Sequence, residues 1–325
     1  MNINTKISCF LSAIRVRFLN RKLPLVVSWF ITNRCNKNCQ YCDNWNTESE
    51  ELGTKEIFKI INGLKELGTK IITLEGGEAL LRQDIGQIID YARKKVIFIA
   101  LLSNGALVPD KIKEIGGLDL LKLSLDGPEE IHDSLRGKGS YQEVIQAAEI
   151  AKENRIPVNF SMTLNKYNID VIDFVLDIAR RLDIKVGFQP VNHVHAKNKD
   201  INFLFPDKAR YSNAITRLIG LKKSNPYIIN SRPALEYLYN WPEPGEFKCF
   251  AGKIICCLMP PGEMFPCASM RNYLNGRNCL SASVKDAFNN LQTPVSCKGC
   301  WCASTLELNC LMNLEWNSFL QVANF

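Results

Sequence analysis

The segment LVVSWFITNRCNKNCQYC, residues 25–42, joins a run of β-forming apolar residues to a loop that contains three cysteines. Valine, isoleucine and aromatic residues favour a strand, and the polar residues that follow Ile31 end it. The cysteines stand at positions 35, 39 and 42, and Tyr41 directly precedes the third. A closed structural metal site takes four protein ligands, so three thiols in one loop predict a site with one position left open.

Short β-rich runs alternate with helical patterns from residue 25 to residue 190. Strands are predicted at 25–31, 70–75, 96–103, 120–125, 157–164 and 185–190, and helices at 54–67, 84–95, 109–115, 141–154 and 169–182. Strands that alternate with helices over short connections indicate a parallel sheet. Nearly continuous Val, Ile and Leu indicate that both faces of the sheet are covered. An open doubly wound sheet and a curled partial barrel both fit this order.

Polar, glycine-rich segments follow the strands at one end. The cysteine loop follows the first strand, GGEA (76–79) follows the second, SNG (103–105) ends the third and SLDG (124–127) ends the fourth. In parallel α/β folds the chemistry lies at the carboxyl ends of the strands. We therefore expect these four segments to meet around one site.

The residue types of the first loop leave three options open. Thiolates hold iron–sulfur clusters, and three of them can bind three irons of a [4Fe–4S] cube while the fourth iron stays open. A zinc site completed by a distant ligand, or three buried free thiols, would have the same composition.

The segments taken together resemble the radical S-adenosylmethionine (SAM) superfamily. A C-x3-C-x2-C loop with an aromatic residue before its third cysteine is followed, in order, by EGGEA, LSNGALV, LSLDGPEEIHDSLRGKGSY and the QP pair at 189–190. Ala79 departs from the proline that this family usually has after Gly-Gly-Glu. The resemblance covers residues 25–190 and implies an α/β fold there, a partial (β/α)6 TIM-like barrel of the radical SAM type.

The resemblance also implies a set of site residues. The ligands of a [4Fe–4S] cluster whose open iron binds SAM are then Cys35, Cys39 and Cys42. Gly76 and Gly77 would let the backbone approach the SAM amino group. The full set expected to contact SAM comprises Tyr41, Gly76, Gly77, Glu78, Ser103, Asn104, Ser124, Asp126, Arg136 and Gln189. Within that set, Glu78 would accept a hydrogen bond from the amino group, and Arg136 would reach the carboxylate.

In this family one electron from the reduced cluster cleaves SAM to a 5′-deoxyadenosyl radical, which abstracts hydrogen from a substrate. The partners implied are therefore SAM, a flavodoxin or ferredoxin-type reductase as the electron source, and an organic substrate. The residues themselves do not indicate which side chain acts as a catalytic base or hydrogen donor.

A cysteine-rich segment at 249–325 follows a helical bridge at 191–248 and is expected to form a second, small domain. Within the bridge, one helix is predicted at 205–226. Apolar runs on both sides of PPG (260–262) predict a hairpin.

Four cysteines of this segment suit a second site. Cys249 and Cys267 flank the predicted hairpin, and Cys297 and Cys300 form a C-x2-C pair. Their number alone leaves a four-thiolate zinc site open. The spacing resembles the auxiliary-cluster domains of radical SAM enzymes, called SPASM or twitch domains, and implies one auxiliary [4Fe–4S] cluster on these four thiolates. Cys302 or Cys310 is a further candidate ligand.

These features predict a radical SAM enzyme in which an auxiliary cluster accepts an electron, so that the substrate is oxidised. About 24 residues precede the first strand, whereas peptide-modifying relatives often carry a leader-binding domain there. We therefore expect a small-molecule, sugar or lipid-linked substrate. The first alternative is a maturase that crosslinks, oxidises or epimerises a ribosomally made peptide. The second is a non-catalytic, cluster-binding assembly protein.

Composition narrows the class of protein. The 325 residues include 13 cysteines and carry a net charge of +7. No uncharged apolar run approaches the roughly 20 residues of a membrane span, and no basic run interleaved with aromatics indicates a nucleic-acid partner. Many cysteines in a long chain without an export signal favour metal ligation in a reducing compartment over disulfides. We therefore expect a cytoplasmic protein.

The N-terminal segment, residues 1–24, predicts a basic amphipathic helix. Ile7, Leu11, Ile14 and Phe18 recur at helical spacing. Five positive charges accompany them without an acid: Lys6, Arg15, Arg17, Arg21 and Lys22. Such a helix could cap the barrel, lie on the anionic inner face of a membrane, or dock an acidic reductase.

Overall fold

A computed structural model describes residues 3–46, 49–95, 97–193, 196, 200–243, 245, 248–292, 297 and 299–313. The side chains of residues 3–10, 46 and 272 lie outside this description. The Ile7 and Lys6 side chains of the N-terminal helix, which the sequence analysis singled out, are therefore not described.

Six parallel strands form the barrel in chain order. They are β1 (Val26–Thr32), β2 (Ile71–Gly76), β3 (Phe98–Ser103), β4 (Leu120–Ser124), β5 (Val158–Leu164) and β6 (Lys185–Pro190). Each strand pairs with the one before it, so the order never reverses as it does in a doubly wound sheet. The partial barrel is therefore confirmed, and the open doubly wound option is excluded.

Helices cover the outer face of this sheet. They are α2 (Thr54–Glu66), α3 (Ile85–Lys94), α4 (Val108–Lys111), α5 (Glu129–Arg136), α6 (Ser140–Glu153) and α7 (Ile172–Leu182). Alternate strand residues such as Val27, Trp29 and Ile72 pack against the helices in one large core. The intervening residues face the barrel interior and are more polar, which creates room for a site inside the sheet.

The cysteine-rich segment is built onto the same sheet. The predicted hairpin forms from β7 (Ile255–Leu258) and β8 (Glu263–Phe265), and β9 (Arg277–Asn278) follows. The first hairpin strand pairs in parallel with β1, so the sheet has nine strands. Helices α8 (Lys208–Leu221), α9 (Arg232–Leu238) and α10 (Val284–Asn289) complete this half. The domain boundaries given above stay predictions.

A last helix, α11 (Ala303–Met312), ties the two halves together. The backbone N–H of Ala303 donates to Oε1 of Gln189 on β6, at 3.2 Å. Near the other end of the helix, Oδ1 of Asn309 accepts from the N–H of Phe250, which precedes β7, at 2.8 Å. The helix therefore links the sheet edge at β6 to the segment that leads into β7.

The N-terminal helix α1 (Ile3–Phe18) packs through a different face from the one its periodicity indicated. Ala13 and Val16 are buried in a small core, together with Leu25, Phe250, Ile254, Ile255, Leu308 and Met312. Leu11 and Phe18, on the predicted apolar face, are 48% and 63% exposed. Small side chains thus dock the helix, and its larger apolar residues face solvent.

Several elements were not predicted. They are α5, α9, α10, α11 and β9, all of them short. Within the described part of the chain, no helix has both the length and the apolar character that crossing a membrane requires.

Candidate active site

The loop after β1 brings the three predicted cysteines together at the carboxyl ends of the strands. Cys35, Cys39 and Cys42 are half-buried and line one pocket of about 130 Å³, called the rim pocket here. Burial raises the pKa of Cys35 to about 11 and that of Cys42 to about 12, and it also raises the pKa of Cys39. Thiols of this kind stay protonated near neutral pH unless a metal ion displaces the proton.

Gly76 and Gly77 are required by the backbone that surrounds them. A Cβ atom on Gly76 would lie 2.0 Å from the carbonyl oxygen of Thr32, and one on Gly77 would lie 2.2 Å from that of Arg34. Gly76 also has a φ of +145°, which favours glycine. The two glycines therefore let the end of β2 lie against the start of the cysteine loop. They also line the rim pocket, as predicted.

Glu78 is fully buried, and its carboxylate is engaged by the protein. It accepts hydrogen bonds from the N–H of Leu80 at 3.1 Å, the N–H of Asn104 at 2.9 Å and the hydroxyl of Ser103 at 3.1 Å. Burial raises its pKa to about 7, although these bonds oppose the shift. Nδ2 of Asn104 in turn donates to Oδ1 of Asn36 in the cysteine loop, at 2.7 Å.

Glu78 thus ties the loop after β3 to its own loop, and Asn104 extends this connection to the cysteines. Glu78 is not among the residues that line the rim pocket, whereas Ser103 and Asn104 are. Its hydrogen bond to the SAM amino group stays a prediction. The contacts described favour a positioning role through Ser103 and Asn104.

Asp126 forms the centre of a second buried network. Its Oδ2 accepts from the hydroxyl of Tyr41 and from Nε of Arg136, both at 2.6 Å, and its Oδ1 accepts from the N–H of Thr163 at 2.9 Å. Burial alone would raise the pKa of Asp126, but the charge of Arg136 and these bonds hold it below its usual value. The guanidinium of Arg136 also lies over the Tyr41 ring, 5.2 Å from its centroid.

Arg136 and Tyr41 line the rim pocket, whereas Asp126 lies behind them. Asp126 engages the Nε side of the guanidinium. Among the described residues, the terminal nitrogens of Arg136 have no hydrogen-bond partner. This arrangement suits an anionic group in the pocket, as the expected contact with the SAM carboxylate requires. A direct contact between Asp126 and SAM stays a prediction, and its contacts favour the orientation of Arg136.

The rim pocket contains residues from the ends of all six barrel strands. Ser124 and Gln189 line it as predicted, from β4 and β6. The sequence reasoning missed other residues of its wall: Lys37, Asn44, Trp45, Ser161, Thr163, Val191 and Asn192. Strand alternation could have found Thr163, because its neighbour in register is Gln189.

His132 has a local structural role behind the rim pocket. It is buried behind Asp126, and its Nδ1 accepts from the Asp126 N–H at 3.1 Å. Burial lowers its pKa to about 4, so the ring is neutral near pH 7. The ring therefore helps to hold the backbone of the fourth-strand segment.

The second group of predicted ligands also comes together. Burial is the main cause of the raised pKa of Cys249, Cys267, Cys297 and Cys300, and the nearby charge of Cys297 also raises the pKa of the other three. The hydroxyl of Tyr237 accepts from the N–H of Cys300 at 3.2 Å. These four thiols come from the hairpin half and from the C-x2-C turn, which lie far apart in sequence.

The remaining cysteines of this half differ in their surroundings. Cys256, Cys257, Cys279 and Cys310 are buried, as expected of core thiols. Cys302 is half-buried, and its Sγ lies 3.4 Å from the hydroxyl of Ser304. Its charge would interact with those of Cys300 and Lys122.

Comparison with known proteins places this geometry in a family. The model of the radical SAM superfamily matches residues 29–178. Residues 29–178 are a radical SAM domain. The match contains all three cysteines of the rim pocket as well as Glu78, Asp126 and Arg136. The motifs had indicated this family, and the prediction is confirmed.

Similarity to individual proteins extends the comparison. The chain is 33% identical over 196 residues to an Fe-coproporphyrin III synthase of Methanosarcina barkeri, over 58% of this chain and 49% of that protein. It is 24% identical over 256 residues to the mycofactocin maturase MftC of Mycolicibacterium smegmatis, over 75% of this chain and 64% of that protein. The chain thus spans about half the length of the first relative and under two thirds of the second.

A solved structure confirms the fold. SuiB of Streptococcus suis, crystallised with its precursor peptide SuiA, matches with a TM-score of 0.68 and 16% identity, over 86% of this chain and 68% of that one. This match must extend past residue 178, into the half that follows the radical SAM domain. The predicted architecture, a radical SAM barrel followed by a cysteine-rich auxiliary region, is therefore confirmed.

The residues present fit the cofactors of a radical SAM domain. Three thiols lie at the rim, and the Arg136 guanidinium is placed to bind a carboxylate such as that of SAM. The glycine pair keeps its part of the wall free of side chains. Among the residues described, no three His, Cys, Asp or Glu side chains converge closely enough to hold a single metal ion. Each thiolate of a four-iron cluster binds a different iron, so its ligands need not converge on one point.

Proposed function

We propose that the protein is a radical SAM enzyme that binds a [4Fe–4S] cluster through Cys35, Cys39 and Cys42 and binds SAM in the rim pocket. The observation that carries the proposal is the convergence of residues from all six strand ends on one pocket. When bound there, the reduced cluster supplies the electron that splits SAM into methionine and a radical able to take hydrogen from a substrate.

The protein residues prepare this pocket for its ligand. Asp126 holds Arg136 so that its terminal nitrogens face an anion, and Tyr41 packs beneath the guanidinium. Glu78 fixes the loop that carries Ser103 and Asn104. Because these contacts exist before SAM binds, little ordering is left to oppose binding.

The test is the formation of 5′-deoxyadenosine by the anaerobically reconstituted protein with SAM and dithionite. We expect the nucleoside to accumulate with the unchanged protein and to be absent when the three rim cysteines are replaced by alanine. If the cluster-loaded protein produced no more nucleoside than this variant, the function would be that of a cluster-binding assembly protein instead.

We further propose that Cys249, Cys267, Cys297 and Cys300 hold an auxiliary [4Fe–4S] cluster, which makes the overall reaction an oxidation. Their closeness in space supports the proposal. Zinc on the same four thiolates is the alternative. Metal analysis of the purified protein, together with the electron paramagnetic resonance spectrum of the reduced form, distinguishes the two.

For the substrate we favour a small molecule, with a sugar or a lipid-linked group as the leading classes. The cavity next to the rim pocket has a volume of about 120 Å³, which suits a small molecule or one side chain of a larger one. The relatives leave both options open, because one is named a porphyrin synthase and another a peptide maturase. A flavodoxin or ferredoxin-type reductase is the proposed electron source.

The exposed face of α1 supports a peripheral contact with an anionic membrane. Leu11 and Phe18 of α1 are exposed apolar residues with the exposed Arg15 beside them, and the exposed Leu19 and Arg21 follow the end of the helix. A basic helix with exposed apolar side chains suits a lipid surface better than a purely electrostatic partner. Lys22 contributes less, because its ammonium donates to the carbonyl oxygens of Asn289 and Leu291, at 2.8 and 3.2 Å.

A further inference from the structure

A second cavity, called the inner cavity here, lies inside the barrel beside the rim pocket. Leu102, Ser161 and Gln189 line both spaces, so a molecule in the inner cavity would lie next to one in the rim pocket. Strands β1 to β7 and helix α11 supply its wall. The residue that distinguishes this cavity is Glu75, which directly precedes Gly76 and is not among the residues expected to contact SAM.

Glu75 faces the inner cavity from β2. Thr73 and Ile71, two and four residues earlier in alternation, line the same space. The described part of the chain offers the Glu75 carboxylate no hydrogen-bond or ion-pair partner. Glu78, three residues later, has three such bonds. Glu75 is only partly exposed, and a carboxylate that the protein leaves without a hydrogen bond in a cavity wall is available to a donor group of a molecule bound there.

Two cations lie near Glu75, from different elements. Burial raises the pKa of Glu75 to about 7, and the positive charges of Lys122 on β4 and Arg271 near β8 oppose that shift. Burial in turn lowers the pKa of Lys122, against the effects of Cys302 and Glu75. Lys122 lines the inner cavity beside Glu75.

These charges decide which ligand group suits Glu75. A cationic ligand group would be repelled by Lys122 and Arg271, and an anionic ligand group would be repelled by Glu75 itself. A neutral donor avoids both repulsions and gives the carboxylate the hydrogen bond that it lacks. The other carboxylate of the wall, Glu307, differs because its Oε1 accepts from the N–H of Ser231 at 2.7 Å and Lys222 lies near it, whereas its Oε2 has no hydrogen-bond partner among the described residues.

We propose that the inner cavity binds the substrate and that Glu75 recognises it by accepting a hydrogen bond from a neutral hydroxyl or amide N–H group. The inference rests on the proposed radical SAM function, because it identifies the cavity as the substrate site of that reaction. It assigns Glu75 a part in substrate specificity, beyond the SAM contacts that the resemblance implies for the residues after it.

The test uses three probes with one ring and different charges: cyclohexanol, cyclohexylammonium and cyclohexanecarboxylate. Each is equilibrated by dialysis against the reconstituted holoprotein with SAM, and the free probe is measured by NMR of the dialysate. We expect cyclohexanol to bind at least about fivefold more tightly than either charged probe. In Glu75→Gln its affinity should fall about tenfold, since a bond to a charged acceptor is stronger than one to an amide.

Two further variants keep the test decisive. Glu149→Gln removes an exposed glutamate of α6 and should leave the affinity for cyclohexanol unchanged. If Glu75→Gln does not fold, the double variant Glu75→Gln/Lys122→Met replaces it, because it removes one negative and one positive charge and so leaves the local net charge unchanged. It should show the same loss of cyclohexanol binding.

Equal cyclohexanol affinity in the unchanged protein and in the Glu75 variants would overturn the proposal, as would tighter binding of either charged probe. The outcome is separate from that of the proposed function. Probe binding that depends on Glu75, without any 5′-deoxyadenosine from SAM, would refute the radical SAM function alone. Nucleoside formation with probe binding that ignores Glu75 would refute only this inference.

Discussion

Removing the Asp126 carboxylate is expected to destabilise the protein strongly, through the charge that it leaves behind. In Asp126→Ala the Arg136 guanidinium stays buried and loses its counter-ion, while the Tyr41 hydroxyl and the Thr163 N–H lose their acceptor. No other carboxylate pairs with Arg136 in the described structure. The local backbone offers no replacement for these three bonds.

The magnitude follows from the burial of this network. Asp126 is fully buried and the Arg136 side chain is 9% exposed. Breaking a buried ion pair from one side costs about 3–5 kcal/mol, and an unsatisfied buried hydrogen-bonding group costs about 1–3 kcal/mol. These effects share partners and do not add fully. We therefore expect a loss of about 4 kcal/mol, a large part of the roughly 5–15 kcal/mol typical of a folded protein.

The assay is urea unfolding of the cluster-free protein, followed by tryptophan fluorescence and by circular dichroism, whose agreement checks two-state behaviour. Tyr41→Phe is the matched control and should cost about 1–2 kcal/mol, because it removes one hydroxyl and no charge. Asp126→Ala/Arg136→Met removes both charges and should regain at least about 2 kcal/mol over Asp126→Ala. A double variant no more stable than the single one would refute the reasoning.

The same pair predicts a dependence on pH. The folded protein holds the pKa of Asp126 below its usual value, so the unfolded chain takes up the proton first as the pH falls. The stabilisation by Asp126 is therefore present at neutral pH and is lost as the pH drops below about 4, through the folded pKa. The advantage of the unchanged protein over the double variant should shrink in that range and stay constant between about pH 5 and 7.

Three further predictions concern the sites. Replacing Cys35, Cys39 and Cys42 by alanine should abolish SAM cleavage and leave about four irons per chain, measured by iron analysis, and the loss of all iron would contradict the auxiliary cluster. Glu78→Ala should weaken SAM binding by about 1.5–3 kcal/mol by releasing the Ser103–Asn104 loop, and unchanged affinity in calorimetry would remove Glu78 from the site. Leu11→Ser/Phe18→Ser should reduce sedimentation with anionic vesicles, whereas the control Tyr239→Ser, at another exposed aromatic residue, should not. Equal sedimentation of the unchanged protein and both variants would rule out the membrane contact.

The sequence alone was enough to predict six alternating strands and helices and the end of the sheet at which the site lies. Apolar runs of period two and helical runs of period 3.6 are local signals, and the strand bounds they predict agree with the structure to within one or two residues. The glycine and cysteine segments follow strand ends, and the ends of parallel strands must meet at one rim. Local sequence and one topological rule were therefore enough to bring the cysteine and glycine segments together, whereas Arg136 was predicted from the family resemblance.

The tertiary structure alone decided which side chains face the pocket. Glu78 and Asp126 belong to rim motifs, yet both carboxylates are used by neighbouring loops that lie far away in sequence. The sequence likewise left open which face of α1 packs on the protein, because periodicity identifies an apolar stripe but not the surface that receives it. The small core against which α1 packs contains the side chains of Ala13 and Val16, and the larger Leu11 and Phe18 stay exposed.

The inner cavity shows the same limit most clearly. Glu75 reads in sequence as one acid at the end of a strand, next to a glycine pair. Its surroundings depend on Lys122 two strands away, on Arg271 beyond the hairpin, and on α11, which no periodic pattern predicted. Charge and solvation at a buried site are set by residues that the fold brings near, so only the folded chain determines what Glu75 can bind.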